Sequence, residues 1–233
     1  MKKKAVFNWS GGKDSALALY KVLSNNEYEL ISLLTTVSQD TQQSSMHLIP
    51  TAVLEAQAAS IGFPLYKVML PAKEPQGYEE EMRKVVSHFK EYGVTHFIFG
   101  DIFLHDVKRY KENQLAPYGI EVVEPLWNKT SKEIIEEFLC SEIRTKIVVT
   151  QADKLDKSFV GKDIDRELIA RLPSNVDPCG EEGEYHTLVY DGPIFKNPVK
   201  FHLKEPKELI YNVKMDTGEM QTFKYWHTPI IPQ

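Results

Sequence analysis

A short segment near the start of the chain combines residue types that suit phosphate binding. It reads Ser10-Gly11-Gly12-Lys13-Asp14-Ser15. An apolar, aromatic and β-branched run precedes it and an Ala- and Leu-rich run follows, so we predict a loop that joins a strand to a helix. Glycines let backbone N–H groups approach a ligand, and the first turn of a helix attracts anions. We expect Lys13 to add a mobile cation and Ser10 and Ser15 to add hydroxyl donors.

The alternative interpretation of this segment is a turn whose serine caps the helix. A capping turn explains neither the paired glycines nor Lys13 in a first helical turn, where the helix dipole disfavours a cation. Asp14 would repel a polyphosphate unless a metal ion bridged the two, so we expect Mg²⁺ to accompany the phosphate. The sequence predicts no set of metal ligands.

A second segment, 177–187, concentrates three glutamates around two glycines. Such carboxylates repel one another unless a cation or a hydrogen-bond donor is bound, and the glycines let a ligand come close to the backbone. We predict that this segment binds substrate and that Glu182 and Glu184 are catalytic; an acidic surface turn is the alternative. Whether Cys179 acts as a nucleophile and whether His186 acts as a general base stay open. The predicted substrate-binding residues are Gly180, Glu181, Glu182, Gly183, Glu184, Tyr185 and His186.

The elements around these segments predict a doubly wound parallel sheet, because apolar strands alternate with helices over the first 123 residues. Ligands of such sheets bind beyond the carboxyl ends of the strands. That edge would bring together the segment after the first strand, a polar loop from Val37, and Gly100-Asp101. Asp101 could bind magnesium, orient a nucleotide or handle a proton; capping the next helix, predicted over 102–116, is its alternative role. The charged string of that helix, 106–112, could be only a solvated face.

The second half has a different pattern. The sequence Thr130-Ser131-Lys132-Glu133 fits a capping box and predicts a helix over 131–140. A strand over 146–150 and one helix within 155–172 come next, and short strands over 185–189, 199–203, 210–213 and 220–225 follow, with a hairpin turn at 216–218. We therefore predict a nucleotide-binding domain over 1–130 and a smaller α+β substrate-binding domain over 131–233, with the active site between them.

Composition limits the class of protein. The 233 residues are 42% hydrophobic and 26% charged, with a net charge of −5, which argues against a general nucleic-acid binder. The first apolar run is too short for a signal peptide, and none reaches the roughly 18 residues of a membrane span. With only two cysteines and no CxxC pair, we expect a reducing, cytoplasmic location and no membrane partner. Whether the chain forms a homo-oligomer stays open.

Two motifs carry a resemblance to known proteins. The segment SGGKDS resembles the pyrophosphate-binding loop of N-type ATP pyrophosphatases, also described as PP-loop or adenine nucleotide alpha hydrolase-like proteins. The run Cys179–Thr187, followed by Tyr190–Phe195, resembles the C-terminal signature of the diphthine–ammonia ligase family. Phe99–Ile102, Pro125–Trp127 and the Met46-His47 turn look like further landmarks of that family. The resemblance extends from about residue 5 to 200, and Glu182 replaces the Asn or Gly of many relatives.

The resemblance implies an ATP-dependent ligase in diphthamide biosynthesis. Such an enzyme adenylates the carboxylate of diphthine on a translation elongation factor, or of a related acyl acceptor, and ammonia then displaces AMP. ATP is implied as substrate, with Mg²⁺. An enzyme that adenylates a tRNA or a small molecule, and a module that binds ATP without turnover, are the alternatives. The implied ATP-binding residues are Ser10, Gly11, Gly12, Lys13, Asp14, Ser15, Gly100 and Asp101, of which Lys13, Asp14 and Asp101 are also predicted as catalytic.

Overall fold

A five-stranded parallel sheet organises the first half of the chain in the computed structural model, which describes residues 2–70, 76–214 and 218–233. The strands are β1 (Lys3–Asn8), β2 (Tyr28–Ser38), β3 (Leu65–Leu70), β4 (His96–Ile98) and β5 (Glu121–Val123). Their order is β3-β2-β1-β4-β5, and all four pairings are parallel. The strand order reverses between β1 and β4, which is where such sheets bind ligands. The predicted α/β fold class is confirmed.

Helices connect these strands and continue into the second half. The capping box is present as predicted, because Glu133 N donates to Thr130 Oγ1 at 3.2 Å and Thr130 N donates to Glu133 Oε2 at 2.8 Å. This cap fixes the start of the fifth helix. The helices are α1 (Lys13–Asn25), α2 (Thr51–Ile61), α3 (Gln76–Glu91), α4 (His105–Leu115), α5 (Ser131–Cys140) and α6 (Arg166–Ala170).

Two predicted helices differ from the structure. The helix expected from residue 102 begins only at His105. The helix expected within 155–172 is present as the five-residue α6, and a separate 3₁₀ turn precedes it. Local capping explains the second difference: Asp156 Oδ1 accepts from Ser158 N at 2.7 Å, and Asp165 Oδ1 accepts from Leu168 N at 2.8 Å. Each aspartate starts a separate helical segment.

Antiparallel strands form the second half. A four-stranded sheet in the order β7-β6-β10-β9 is accompanied by the pair β11-β8. Of the predicted hairpin turn at 216–218, residues 216 and 217 lie outside the described residues. The strands are β6 (Arg144–Gln151), β7 (Tyr185–Asp191), β8 (Phe201–Leu203), β9 (Lys207–Lys214), β10 (Met220–His227) and β11 (Ile230–Pro232).

The two halves pack on one apolar core. Phe7 and Leu54 from the first half belong to the same buried cluster as Val149 and Leu188 from the second. Burial of these side chains removes apolar surface from water and holds the two sheets together. The division of the chain near residue 130 stays a prediction. No helix in the described part of the chain combines the length and apolarity needed to cross a bilayer.

Candidate active site

A cavity of about 350 Å³ lies at the carboxyl edge of the parallel sheet, where the strand order reverses. We call it the nucleotide cavity. Loops that follow β1, β2 and β4 form its wall, and the acidic segment of the second half completes it. Six of the predicted site residues therefore share one cavity: Ser10, Asp14, Ser15, Gly100, Asp101 and Glu181.

The loop after β1 has two kinds of backbone N–H group. Those of Gly12 and Lys13 bind within the protein, to Ser10 Oγ at 3.2 Å and Thr187 Oγ1 at 2.9 Å. Those of Asp14 and Ser15 have no hydrogen-bond partner among the described residues, and both residues line the cavity. Two orphan donors in the first turn of a 13-residue helix suit an anion. The serine-cap alternative is wrong, because the N-cap residue of α1 is Gly12, which has no side chain to accept a hydrogen bond.

Two glycines allow close packing around this loop. A Cβ atom on Gly12 would lie 2.3 Å from His47 Cε1, so this glycine makes room for a side chain of the protein rather than for a ligand. A Cβ atom on Gly100 would lie 2.9 Å from Ser15 N, so the absence of that atom lets the loop after β4 rest against the first turn of α1. Both glycines therefore set the shape of the cavity wall.

Lys13 is not the mobile cation that the sequence predicts. Only 2% of the residue is exposed, and it is absent from the cavity wall. Its Nζ lies 2.7 Å from Asp14 Oδ2 and also donates to the Cys179 carbonyl. Burial is the largest single effect on the pKa of Lys13 and lowers it, but Asp14 and the other acidic groups around the amine together outweigh burial, so the pKa is raised and the amine stays charged. Lys13 thus links the phosphate loop to the acidic segment.

Asp101 pairs with Lys111, a residue of α4. Both side chains line the nucleotide cavity, and Lys111 Nζ lies 4.2 Å from the centroid of the Phe99 ring. The capping alternative for Asp101 is wrong, because α4 begins at His105 with Leu104 as N-cap and no side-chain cap. Lys111 supplies the positive charge in the cavity that the sequence assigns to Lys13.

The three glutamates of the acidic segment take different positions. Glu181 lines the cavity and Glu182 is exposed. Glu184 is 1% exposed, and its carboxylate accepts from Asp177 N at 2.9 Å and from Glu182 N at 3.0 Å. The structure therefore gives Glu184 a role in holding the loop 177–184, outside the cavity. Gly180, Gly183 and Tyr185 also stay out of the cavity wall.

Glu181 faces an acidic environment. Burial, together with the charges of Asp14 and Asp101, raises its pKa to about 8. Lys13 opposes this shift and does not cancel it. The Glu181 carboxyl group is therefore mostly protonated at neutral pH, and a bound cation would ionise it.

This raised pKa predicts a pH-dependent stability. In the unfolded chain the group titrates near 4.5 and in the native state near 8, so between these values only the native state holds the proton. Native stability from this group is lost as the pH rises through that window. We expect the stability of Glu181→Gln relative to wild type to be higher at pH 8 than at pH 5, by on the order of 3 kcal/mol. Urea unfolding of both proteins at the two pH values measures this difference. A difference that does not change with pH would contradict the assignment.

Neither Cys179 nor His186 reaches the nucleotide cavity. Burial raises the pKa of the Cys179 thiol to about 12, and its Sγ lies 3.2 Å from the Ser131 carbonyl oxygen. A thiol in this state is not a nucleophile. Burial lowers the pKa of His186 to about 3, and its ring lies 5.1 Å from the ring of His47. His47 does line the cavity, and its Nδ1 lies 2.7 Å from the Thr187 carbonyl oxygen.

Sequence reasoning missed several residues of the cavity wall. Lys111 was part of a charged helical string that resembles any solvated face, and the ends of β1 and β2 carried only an apolar pattern. The sequence signal that could have identified Lys111 is its position in the helix that follows Asp101. The missed or unassigned wall residues are Asn8, Trp9, Leu34, Thr35, Thr36, Ser44, Ser45, Met46, His47, Phe99 and Lys111.

Comparison with known proteins places the chain in a family. The family model "Diphthamide synthase N-terminal domain" matches residues 1–120, and "Diphthamide synthase C-terminal domain" matches residues 129–227. The chain is 24% identical to a Bos taurus protein and to a Homo sapiens protein over 215 residues, covering 82% of the chain and 79% of each relative. A Danio rerio protein is 25% identical over 213 residues, covering 82% of the chain and 83% of the relative.

All three relatives are named diphthine–ammonia ligase. These matches confirm the predicted family and the prediction of a ligase that forms a carbon–nitrogen bond. The sequence motifs, the parallel sheet with its cavity and both family models agree, and the chain therefore belongs to the diphthamide synthase family.

Proposed function

We propose that this chain binds ATP in the nucleotide cavity, transfers AMP to a carboxylate and converts the acyl adenylate to an amide with ammonia. The observation that carries the proposal is the pair of orphan amides of Asp14 and Ser15 at the start of α1, beside the Ser10 hydroxyl group. Such preorganised donors bind a phosphate without reorganising and stabilise charge on the leaving pyrophosphate.

The side chains of the cavity support the same chemistry. A carboxylate oxygen of the acceptor attacks the α-phosphorus, the bond to the bridging oxygen breaks, and pyrophosphate leaves. Lys111 is the cation we propose to neutralise phosphate charge, with Asp101 holding it in place. Lys13 keeps Asp14 oriented, since the two are paired at 2.7 Å. Glu184 holds the acidic loop through its two backbone hydrogen bonds.

Magnesium fits the oxygen donors of this cavity. No cluster of three or more His, Cys, Asp or Glu side chains within residues 2–70, 76–214 and 218–233 could hold a metal without ATP. Mg²⁺ is commonly bound by one or two carboxylates together with substrate phosphates. We propose that Asp14 and Asp101 would supply those carboxylates, and that the ion, when bound, offsets the negative charge of the phosphate oxygens.

Glu181 is the carboxylate that we propose for ammonium. It lines the cavity near Asp14 and Asp101, and a bound ammonium ion would supply the missing counter-charge. The Glu181 carboxylate takes one proton from ammonium, and the resulting ammonia attacks the acyl carbon. The bond from that carbon to the AMP oxygen breaks, AMP leaves, and the nitrogen loses a second proton to water.

We expect Glu181→Gln to raise the KM for ammonium about 10- to 100-fold, because a charged hydrogen bond is lost. The KM for ATP should stay equal, because the Glu181 carboxyl group is mostly protonated at neutral pH and does not repel the phosphates. Steady-state kinetics with each substrate varied in turn measures both. Glu182→Gln tests the sequence-based prediction that Glu182 is catalytic. If this exposed carboxylate binds ammonium, the larger increase in the KM for ammonium will occur in the Glu182 variant.

The names of the relatives support a proposal for the acceptor and the setting of the reaction. The names of the relatives pair diphthine with ammonia, and we propose a diphthine-bearing elongation factor, or a related acyl carboxylate, as the acceptor. With that partner we also propose a cytoplasmic location. The two free cysteines are consistent with a reducing compartment.

The test is product analysis with ATP, ammonium and a diphthine-bearing elongation factor. We expect AMP, pyrophosphate and the amide to form in equal amounts, and expect no amide when ammonium is omitted. Tight ATP binding without AMP or pyrophosphate for any carboxylate would identify a non-catalytic ATP-binding module instead. AMP formation that depends on tRNA would show the alternative acceptor class.

A further inference from the structure

A fully buried glutamine contacts the phosphate loop, residues 10–15, without reaching the nucleotide cavity. Gln57 belongs to α2, has 0% of its surface exposed and is absent from the cavity wall. A buried amide costs free energy unless it is hydrogen-bonded, and even then its net contribution to stability is modest. An amide at a position where leucine would fill a similar volume therefore points to a role other than packing.

The Gln57 side chain joins three separate parts of the chain. Its Oε1 accepts from Trp9 Nε1 at 2.9 Å, and its Nε2 donates to the carbonyl oxygens of Gly11 at 3.2 Å and Val189 at 2.6 Å. An indole N–H group only donates and a carbonyl oxygen only accepts, so these partners fix which way the amide faces. Both amide hydrogens are used, one towards the phosphate loop and one towards β7.

These bonds set the direction of the peptide group between Gly11 and Gly12. The Gly11 carbonyl oxygen accepts from Gln57 Nε2 and also from Val189 N at 2.9 Å, so it is held towards the buried interior. In a planar trans peptide the N–H group points the opposite way, and Gly12 N donates to Ser10 Oγ at 3.2 Å. The left-handed backbone of Gly11, with a φ of +82°, permits this turn.

The direction of this peptide decides which polar groups face the nucleotide cavity. Ser10 lines the cavity, and its Oγ accepts from Gly12 N, so its own hydrogen remains available for donation to Ser15 Oγ at 3.0 Å or to a phosphate oxygen. A peptide turned the other way would place the Gly11 carbonyl oxygen on the side of Ser10. A carbonyl oxygen there would repel phosphate oxygens, whereas N–H and O–H donors attract them.

We propose that Gln57 is a positioning residue for ATP, which holds the peptide between Gly11 and Gly12 so that the phosphate loop turns its donors towards the β- and γ-phosphates. The role rests on the proposed function, because it requires that this loop binds those phosphates. Val189 shares the task, since its N–H and carbonyl groups bond to Gly11 and Gln57. Strand β7 thus supports the phosphate loop from the second half of the chain.

Gln57→Leu tests this role by isothermal titration calorimetry of the full chain with Mg²⁺ and either ATP or AMP. We expect the Kd for ATP to rise about 10- to 100-fold, because hydrogen bonds to charged phosphate groups are lost. The Kd for AMP should stay within about threefold of wild type, since AMP lacks the two phosphates that the loop holds. Lys108→Met removes an ion pair outside the cavity and should change neither Kd, which controls for lowered stability.

Gln57→Glu keeps the shape of the side chain and makes the role depend on protonation. A protonated carboxyl group has an acceptor for Trp9 and one O–H donor, whereas a carboxylate has no donor and would face two carbonyl oxygens. We therefore expect the Kd of this variant for ATP, divided by the wild-type Kd at the same pH, to fall about 10-fold from pH 9 to pH 6. Division by the wild-type value cancels the titration of ATP and of Glu181.

Three results would overturn the positioning role. They are a Gln57→Leu variant that binds ATP as tightly as wild type, equal losses of affinity for ATP and AMP in that variant, and a Gln57→Glu ratio that is the same at pH 6 and pH 9. Circular dichroism confirms that each variant is folded. A wild-type chain that binds no ATP would instead contradict the proposed function, so the two failures are distinct.

Discussion

Replacing Lys111 by methionine is expected to lower kcat/KM for ATP about 100-fold. Among the residues that the structure describes, Lys111 is the one lysine or arginine in the wall of the nucleotide cavity. Removing a single donor that stabilises transition-state charge typically reduces the rate by a factor of about 10²–10³. Methionine keeps the length and apolar contact of the side chain over Phe99, so the decrease in kcat/KM would measure the contribution of the positive charge. Steady-state kinetics of AMP formation gives the value.

Lys108 provides the matched control on the same helix. Lys108 Nζ lies 4.2 Å from the Trp127 ring centroid, as Lys111 does from Phe99, and it also pairs with a carboxylate, that of Glu124 at 3.2 Å. It does not line the nucleotide cavity. The two lysines therefore have similar surroundings and differ in access to ATP.

Lys108→Met should affect stability instead of activity. The Glu124 side chain has no exposed area, burial raises its pKa, and Lys108 is the one polar partner of its carboxylate in the described part of the chain. Removing its counter-charge is expected to cost about 2 kcal/mol and to lower Tm by about 4–8 °C, with kcat/KM within threefold of wild type. Equal losses of kcat/KM in both variants would contradict the role proposed for Lys111 in neutralising phosphate charge.

Much of the fold could be predicted because its signals are local. The alternation of apolar strands and helices gave the parallel sheet, and the capping box at Thr130 and Glu133 gave the start of α5 at Ser131. The short length of the predicted helix within 155–172 also has a local cause. The apolar spacing there fits one helix, but the side chains of Asp156 and Asp165 bind nearby N–H groups and start two separate segments.

The candidate site was only partly predictable because several roles depend on contacts distant in sequence. Gly100 and Asp101 could be placed from topology, since they follow a parallel strand. Lys13 could not, because the segment that buries it begins about 166 residues later, at Cys179. The cavity lined by Leu209, Tyr211, Phe223 and Tyr225 could not be predicted either, because it depends on the register of β9 against β10.

Replacing Lys13 by alanine is expected to lower the free energy of unfolding by about 3 kcal/mol, in contrast to the mild effect expected for a lysine in an exposed loop. The change leaves the Asp14 carboxylate without its 2.7 Å partner and the Cys179 carbonyl without its donor. Breaking a buried pair typically costs about 3–5 kcal/mol, and the Asp14 side chain, 25% exposed, places this case near the lower end. Urea unfolding measures the loss.

Two further variants separate the causes. Lys13→Met keeps most of the buried stem, so we expect it to lose nearly as much stability as Lys13→Ala if charge and hydrogen bonding dominate. Lys21, also on α1, pairs with Glu137 at 2.6 Å, and both side chains are about one-third exposed or slightly less. Lys21→Ala should therefore cost less than about 1 kcal/mol. If Lys13→Ala cost no more than Lys21→Ala, Lys13 would not link the phosphate loop to the acidic segment, and it would again be a candidate for direct contact with ATP.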